Sequence, residues 1–373
     1  MNKQQKKILQ APGGAGRVLL HTCCAPCSSA IIERMVESGI EPVIFYCNPN
    51  IYPYEEYLVR KEECSRYASS LGLQIIDADY DHAAWLECAR GHEDEPERAA
   101  RCLNCFRLRL KRCAEYAHEN GFKVITSTLD SSRWKSHDQI VQAGHEAVSE
   151  FPDVIFWDQN WRKDGLQQRR SEIIREQDFY NQRYCGCEFS MRSMKDDKAG
   201  VRKRMKRLVS VMTDERKLQE SQRIWDSLEA SEPFRNAQSV LMYWSMADEV
   251  STHDFIRKWH GRKRIFLPSI DGDDLLIREY TGDASLVPGP SFGIPEPVGP
   301  VLENLAEIQL IVVPGRAFDR DGNRMGRGRG FYDRLLASVC CPKVGVAFSC
   351  QMIPSVPVEE NDVKMDLVVS CSF

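Results

Sequence analysis

Three groups of closely spaced cysteines are the residues of this chain whose type and spacing point most directly to chemistry. They are Cys23, Cys24 and Cys27 in the run His21-Thr-Cys-Cys-Ala-Pro-Cys27, the C-x-x-C pair Cys102 and Cys105, and the C-G-C pair Cys185 and Cys187. Short spacing lets thiolates from one segment converge on one centre, and thiolates suit zinc and iron–sulfur clusters. Seven thiols exceed a single tetrahedral site. Two readings stay open: a structural zinc held by four of the seven, or a 4Fe-4S cluster beside a second, incompletely ligated metal with an open coordination position. The second uses every thiol and is preferred. Cys47, at the end of an apolar run, lines a pocket or packs as a small hydrophobe, and Cys64, Cys88 and Cys113 read as helix packing. His21 either donates to a sulfur or is structural.

A second chemical signal lies far downstream. Gly326-Arg-Gly-Arg-Gly-Phe-Tyr-Asp-Arg334 sets three alternate glycines before a helix. Glycines at that spacing let backbone amides approach phosphate oxygens, while Arg327 and Arg329 supply charge. Gly/Arg loops also occur as plain turns, so the loop alone is a weak signal. Lys198 and Arg202 stand at helical i,i+4 spacing in a basic run, which suits either a phosphate site or a solvated face.

The elements that must position these groups follow from the apolar runs. Arg17 to His21, Pro42 to Cys47 and Lys123 to Thr126 read as buried strands, with helices over Ser28 to Glu37, Glu55 to Leu71 and Asn104 to Glu119. The second half alternates again: helix 215–228, strand 239–244, helix 252–259, strand 264–267, strands at Leu310 to Val313 and Lys343 to Ala347, and a helix from Tyr332. The alternation predicts two layered α/β domains, the first a Rossmann-like parallel sheet with metal-binding loops. Cys23 to Cys27 then lie at the carboxyl end of a strand, where ligands collect in such sheets.

Length and composition agree with two domains. The 373 residues exceed what one core usually fills. Of fifteen cysteines, eleven precede residue 195 and four (340, 341, 350 and 371) follow. The expected domains are 1–195 and 196–373. The net charge of −4 excludes a chain that grips nucleic acid by overall charge, so any RNA contact needs a local patch. Candidates are Tyr52, Tyr54, Arg133, Trp134, Lys135, Trp161 and Arg162. The first residues carry charges without the apolar core of a signal peptide, and no run is long enough to cross a bilayer. A cytoplasmic protein with no membrane association is expected, and its thiols are expected to be reduced.

Several ordered motifs in residues 17 to 192 resemble the QueH type of epoxyqueuosine reductase. They are His21 to Cys27, Cys47-Asn-Pro-Asn50 with Tyr57-x-x-Arg60-Lys61, Arg101-Cys-x-x-Cys105, Thr126-Ser-Thr-Leu129 and Tyr184-Cys-Gly-Cys187. The resemblance implies removal of the epoxide oxygen of epoxyqueuosine at the tRNA wobble position, with electrons from an unidentified donor. It implies that Cys24, Cys102, Cys105 and Cys185 hold a 4Fe-4S cluster, and that Cys23, Cys27 and Cys187 hold a second metal ion, iron, and act in catalysis.

From about Lys198 to Ser370 the chain is similar to 5-formyltetrahydrofolate cyclo-ligase. The motifs are Lys198-x-x-x-Arg202, Trp244 to Glu249, Phe292-Gly-Ile-x-Glu296-Pro297, Val313-Pro-Gly-Arg-Ala-Phe-Asp319, the glycine loop and Asn361 to Asp366. The likeness implies a three-layer α/β cyclo-ligase-like domain that turns 5-formyltetrahydrofolate and ATP into 5,10-methenyltetrahydrofolate. By resemblance, Lys198, Arg202, Arg324, Gly326, Arg327, Gly328, Arg329, Gly330, Phe331 and Tyr332 contact ATP, with Arg327, Arg329 and Tyr332 catalytic. Trp244, Glu249 and the loop from Arg327 to Phe331 hold the folate, and Asp333 with Asp362 hold Mg2+. The competing reading is a zinc-stapled tRNA-binding module fused to a nucleotide-binding regulatory domain.

Overall fold

In the computed structural model the apolar runs become the strands of two separate main sheets. The structure describes residues 8–371 apart from 79, 133, 193–196, 273 and 290–292. It falls into two compact units, Met1–Met194 and Lys195–Phe373. The expected junction at 195/196 lies outside the described residues, as do Arg133 and Phe292.

The first unit runs β1 (Arg17–His21), α1 (Ala25–Glu37), β2 (Glu41–Tyr46), α2 (Tyr54–Ser70), β3 (Ile75–Asp77), α3 (His82–Ala89), α4 (Ala100–Glu119), β4 (Val124–Ser127), α5 (His137–Val148), β5 (Ile155–Phe156), α6 (Leu166–Glu176) and α7 (Glu188–Met191). Its five strands are parallel in the order β3-β2-β1-β4-β5. Successive side chains of a strand point to opposite faces. Leu20, Ile44 and Val124 accordingly enter one core with Ile31 of α1, Tyr67 of α2 and Ile173 of α6. Leu19, Val43 and Ile125 enter another with Phe106 and Leu110 of α4 and Ile140 of α5. The result is three layers, and the strand order reverses between β1 and β4, where a crevice opens at the carboxyl ends.

Two helices start earlier than their apolar periodicity predicts. α1 begins at Ala25 because Pro26 suits a first turn, where its missing N–H would have no partner. Cys24 is therefore the extended N-cap residue and Cys27 lies inside the first turn. α4 begins at Ala100, which places Cys102 and Cys105 three residues apart on one helix face.

The second unit runs α8 (Lys198–Ser210), α9 (Asp214–Ala230), α10 (Glu232–Asn236), β6 (Ser239–Leu241), α11 (His253–Trp259), β7 (Arg264–Asp271), β8 (Asp274–Glu279), β9 (Leu286–Pro288), β10 (Pro295–Pro297), β11 (Leu310–Pro314), β12 (Ala317–Phe318), β13 (Arg324–Met325), α12 (Phe331–Ala337), β14 (Lys343–Ala347) and β15 (Leu367–Ser370). The main sheet has the order β15-β14-β11-β6-β7-β8, with all pairs parallel except β7 with β8. β7 is longer than predicted because its distal half pairs with β8 in a hairpin that alternation of apolar residues does not mark. Residues Leu310 to Val313 are buried throughout, as a central strand covered on both faces requires. α12 covers one face through Leu335 and Leu336, and α9 packs on β15. The strand order reverses between β6 and β11, so the loops after those strands flank a second crevice. Among the described residues no helix is long and apolar enough to cross a membrane.

Candidate metal centre and nucleotide pocket

The end of β1 delivers Cys23, Cys24 and Cys27 to the first crevice. Their sulfurs lie within 4.8 Å of one another, and among the described residues no other set of three or more potential ligands is so close. All three thiols are buried. The hydroxyl of Thr128, just past β4, receives the Cys23 amide at 3.2 Å and lies 3.6 Å from its sulfur. Hydrogen bonds from the Cys24 and Cys27 thiols hold the Cys23 thiol well below its ordinary value. Burial pushes Cys24 up, and donation toward Cys23 raises Cys27 to about 11. Such a nest shares protons when empty and loses them to a bound metal.

The other four cysteines come to the same region. Cys105 and Cys187 share one small buried cluster with Trp85 and Ala89. Burial raises Cys102 and Cys187 to about 12, with Cys185 the next influence on each. Within the first group the Cys24 sulfur lies 3.9 Å from that of Cys23.

The Cys185-Gly-Cys187 turn is held by motifs from elsewhere in the chain. Arg60, paired at 2.7 Å with Glu56, donates to the Cys185 carbonyl at 3.1 Å, and the Tyr52 amide donates to the Gly186 carbonyl at 2.8 Å. Gly186 has φ 141°, and a Cβ there would lie 3.1 to 3.2 Å from Asn50, Ile51 and Arg60. Gly186→Ala is therefore expected to displace both flanking thiols and to destabilise the unit by about 1–3 kcal/mol. Denaturant titration together with metal analysis of the variant checks it.

In the second unit the loops after β6 and β11, β7, β8 and the glycine loop enclose a cavity of roughly 220 Å³. Trp244, Glu249, Arg324, Asp333 and every residue from Gly326 to Tyr332 line it, so Arg327, Gly328, Arg329, Gly330 and Phe331 are all present. Apolar walls come from Pro268, Ile270, Leu275 and Ile294. Trp244 stacks on His253 at 4.3 Å. Arg327 spans the mouth to Asp248 and Glu249 at 2.5 and 2.8 Å. Arg202 donates to the Gly326 carbonyl at 3.0 Å, and Gly328, at φ 103°, leaves only 3.2 Å between a Cβ and the Arg202 guanidinium. Lys198 pairs with Asp362 at 2.6 Å, and Arg324 pairs with Asp333 at 2.5 Å. Each acidic residue expected to bind Mg2+ is thus held by its own cation. Among the described residues the buried Tyr332 hydroxyl has no hydrogen-bond partner, and burial raises its pKa.

Residues 18–193 match the family model of epoxyqueuosine reductase QueH, and residues 194–371 match that of the 5-formyltetrahydrofolate cyclo-ligase family. The first half is 52% identical over 184 residues to the epoxyqueuosine reductase QueH of Histophilus somni, covering 49% of this chain and 76% of that protein. It is 50% identical over 192 residues to that of Acinetobacter baylyi, covering 52% and 88%. The chain belongs to the QueH family. Its second half carries a cyclo-ligase-family domain. A solved 5,10-methenyltetrahydrofolate synthetase from Aquifex aeolicus is 32% identical, covers 46% of this chain and 89% of its own, and has a TM-score of 0.43.

In the QueH-family unit the structure adds residues that spacing did not reveal. Arg109, one turn beyond Cys105, is buried, with Nη1 3.9 Å from the Cys105 sulfur, Nε donating to the Cys47 carbonyl at 3.2 Å and Nη2 bonded to Asn48. Gln182 donates to the Cys24 sulfur at 2.7 Å. His21 is structural. Its Nε2 faces the Cys47 carbonyl at 3.1 Å and so carries the proton, while Nδ1 accepts from Ser127 at 2.8 Å. Burial and then Arg109 lower its pKa to about 3, so it stays neutral. Cys47 and Cys113 are core residues of one sheet face and Cys64 of the other.

The RNA candidates divide. Trp161 is 1% exposed and packs edge-on against Trp157, so it belongs to the core, because a Trp at a strand-end loop has more area to bury than to present. Lys135 is buried in the electrostatic reach of Cys23, Cys185 and Cys27. Arg162 clamps the 130–135 loop through the carbonyls of Asp130, Ser132 and Lys135. Tyr52 and Tyr54 are exposed, and Trp134 is half-buried.

Proposed function

We propose that the first unit reduces epoxyqueuosine to queuosine at the wobble position of a tRNA anticodon, using a 4Fe-4S cluster and an adjacent iron. The observation that carries this reading is the convergence of three cysteine segments, separated by about 80 residues each, on one buried cation. Arg109 stands in the field of Cys105, Cys23 and Cys185 together. Buried thiols that close suit iron or zinc far better than oxygen-loving cations. Cys23, Cys24 and Cys27 form the heart of the site, and Cys102, Cys105, Cys185 and Cys187 complete it. When bound, the cluster supplies single electrons and the neighbouring metal a Lewis acid for the epoxide oxygen. The chain's own part is to bury the thiols, offset their charge with Arg109 and Lys135, and keep water from the crevice.

We propose that the second unit converts 5-formyltetrahydrofolate and ATP to 5,10-methenyltetrahydrofolate, ADP and phosphate. The formyl oxygen is a poor leaving group until it takes the γ-phosphoryl group. The adjacent folate nitrogen then attacks the formyl carbon, and phosphate departs. Lys198, Arg202, Arg324 and the glycine loop hold the triphosphate, and Arg327 and Arg329 offset charge developing on the transferred group. Asp333 and Asp362 would hold Mg2+, which would offset the charge of the phosphate groups. Trp244 and the apolar wall take the folate rings, and Glu249 orients them. The Tyr332 hydroxyl, which has no partner among the described residues, is available to the formyl group.

Anaerobic purification tests the first reading. Brown protein with broad visible absorption and several irons per chain supports it, and colourless protein holding zinc alone refutes it. Production of the methenyl product from 5-formyltetrahydrofolate, ATP and Mg2+ tests the second; absence of product would overturn it.

A further inference from the structure

Beside the thiols lies a continuous array of aromatic rings that none of the chemistry above uses. Tyr54 meets Tyr80 at 5.1 Å, Tyr80 stacks on His82 at 5.7 Å and 5°, and Tyr52 stacks on His82 at 5.7 Å and 25°. On its inner side His82 stacks on Trp85, which is 1% exposed and shares the buried cluster of Cys105 and Cys187. At the outer end Tyr52 and Tyr54 are 38% and 39% exposed. A single exposed tyrosine on a surface is ordinary. The two here end a stacked array that reaches inward to the thiols.

The backbone beneath Tyr52 is also unusually constrained. The carbonyls of Pro49, Ile51 and Tyr52 accept from His82 at 2.7 Å, Tyr80 at 2.6 Å and Tyr184 at 2.5 Å. The Tyr52 amide is bonded to Gly186, the residue between two of the seven cysteines. The backbone that carries the ring is thus held on several sides and tied to the Cys185–Cys187 turn, and the ring rests on His82. Preorganised aromatic rings at low entropic cost are what stacking on an unpaired nucleobase requires, since a base has a π-face whatever its identity.

We propose that Tyr52, supported by His82 and flanked by Tyr54, is a stacking platform for the nucleobase next to the modified one in the anticodon loop. This rests on the tRNA reading above. A base delivered to the thiols must leave its stack, which exposes the face of its neighbour, and the platform replaces that lost stacking.

The test uses the full chain, a labelled RNA anticodon stem-loop bearing epoxyqueuosine at the wobble position, and copies of that stem-loop made abasic at one other loop position at a time. Affinity is read by fluorescence anisotropy at one fixed salt concentration. Tyr52→Ala is expected to weaken binding roughly tenfold, while Tyr52→Phe binds as the parent does, since the ring and not the hydroxyl stacks. Removing the base adjacent to the wobble position is expected to cancel the effect of Tyr52→Ala. Should Tyr52→Ala prove unfolded, Tyr52→Leu and Tyr54→Ala carry the same comparison. Unchanged affinity in a folded variant, equal losses for Phe and Ala, or an Ala effect that persists on every abasic RNA would each overturn the platform. Failure of the parent protein to bind any stem-loop would instead overturn the tRNA reading, and the platform with it.

Discussion

Cys23→Ser protein, prepared without oxygen, is expected to lose epoxyqueuosine reduction by more than about a hundredfold, exceeding what loss of a supporting contact around a metal ligand costs. The reason is positional. Cys23 is the thiol that both neighbours in the nest hydrogen-bond, and its amide and sulfur are tied to Thr128 at the end of the adjacent strand. Serine keeps the size and the amide contact but offers a hard oxygen that does not ionise near neutral pH. Iron content and visible absorption should fall with activity, whereas methenyltetrahydrofolate formation should be unchanged because the residues that line that pocket belong to the second unit. A Cys23→Ser protein with full iron and full reductase activity would remove this residue from the centre.

Asp333→Ala is expected to lower cyclo-ligase turnover by about a hundredfold and to leave epoxyqueuosine reduction intact. Asp333 lies in the first turn of α12, on the wall of the cavity, and its carboxylate holds the buried Arg324 guanidinium at 2.5 Å. Arg324 also donates to the Pro314 carbonyl at 3.2 Å, at the end of β11. Loss of the carboxylate removes the proposed Mg2+ contact and leaves a buried cation without its counter-charge, so two consequences need separation. Asp333→Asn keeps a hydrogen-bond acceptor for Arg324 but loses the charge. Turnover in Asp333→Asn as low as in Asp333→Ala, with a raised Mg2+ requirement and an unchanged Tm, assigns the loss to the metal. Restored turnover in Asp333→Asn would assign it to Arg324, and equal loss of both activities in a folded variant would contradict the independence of the two sites.

Much of this was legible in the sequence for one physical reason: the signals are local. Thiols two or three residues apart and glycines at alternate positions constrain their own backbone, so C-C-x-x-C, C-x-x-C, C-G-C and G-R-G-R-G can be read without knowing the fold. The apolar runs likewise mark strands buried on both faces. Several features were not legible because they arise between distant segments. Arg109 matters through Cys47 and Asn48, about 60 residues away, and Gln182 through Cys24, 158 residues away. Trp161 looked like an RNA contact because a residue type states what a side chain can do, not which side of a sheet it reaches.

The sequence by itself determined that two chemistries share one chain, which residue types serve each, and that strands and helices alternate in both halves. Only the tertiary structure decided that Arg109 and Lys135 are buried beside the thiols, and that Asp333 and Asp362 each hold a cation. Those relations depend on strand order. The β1–β4 neighbourhood sets Thr128 against Cys23 across 105 residues, and neither periodicity nor spacing carries information over such a span.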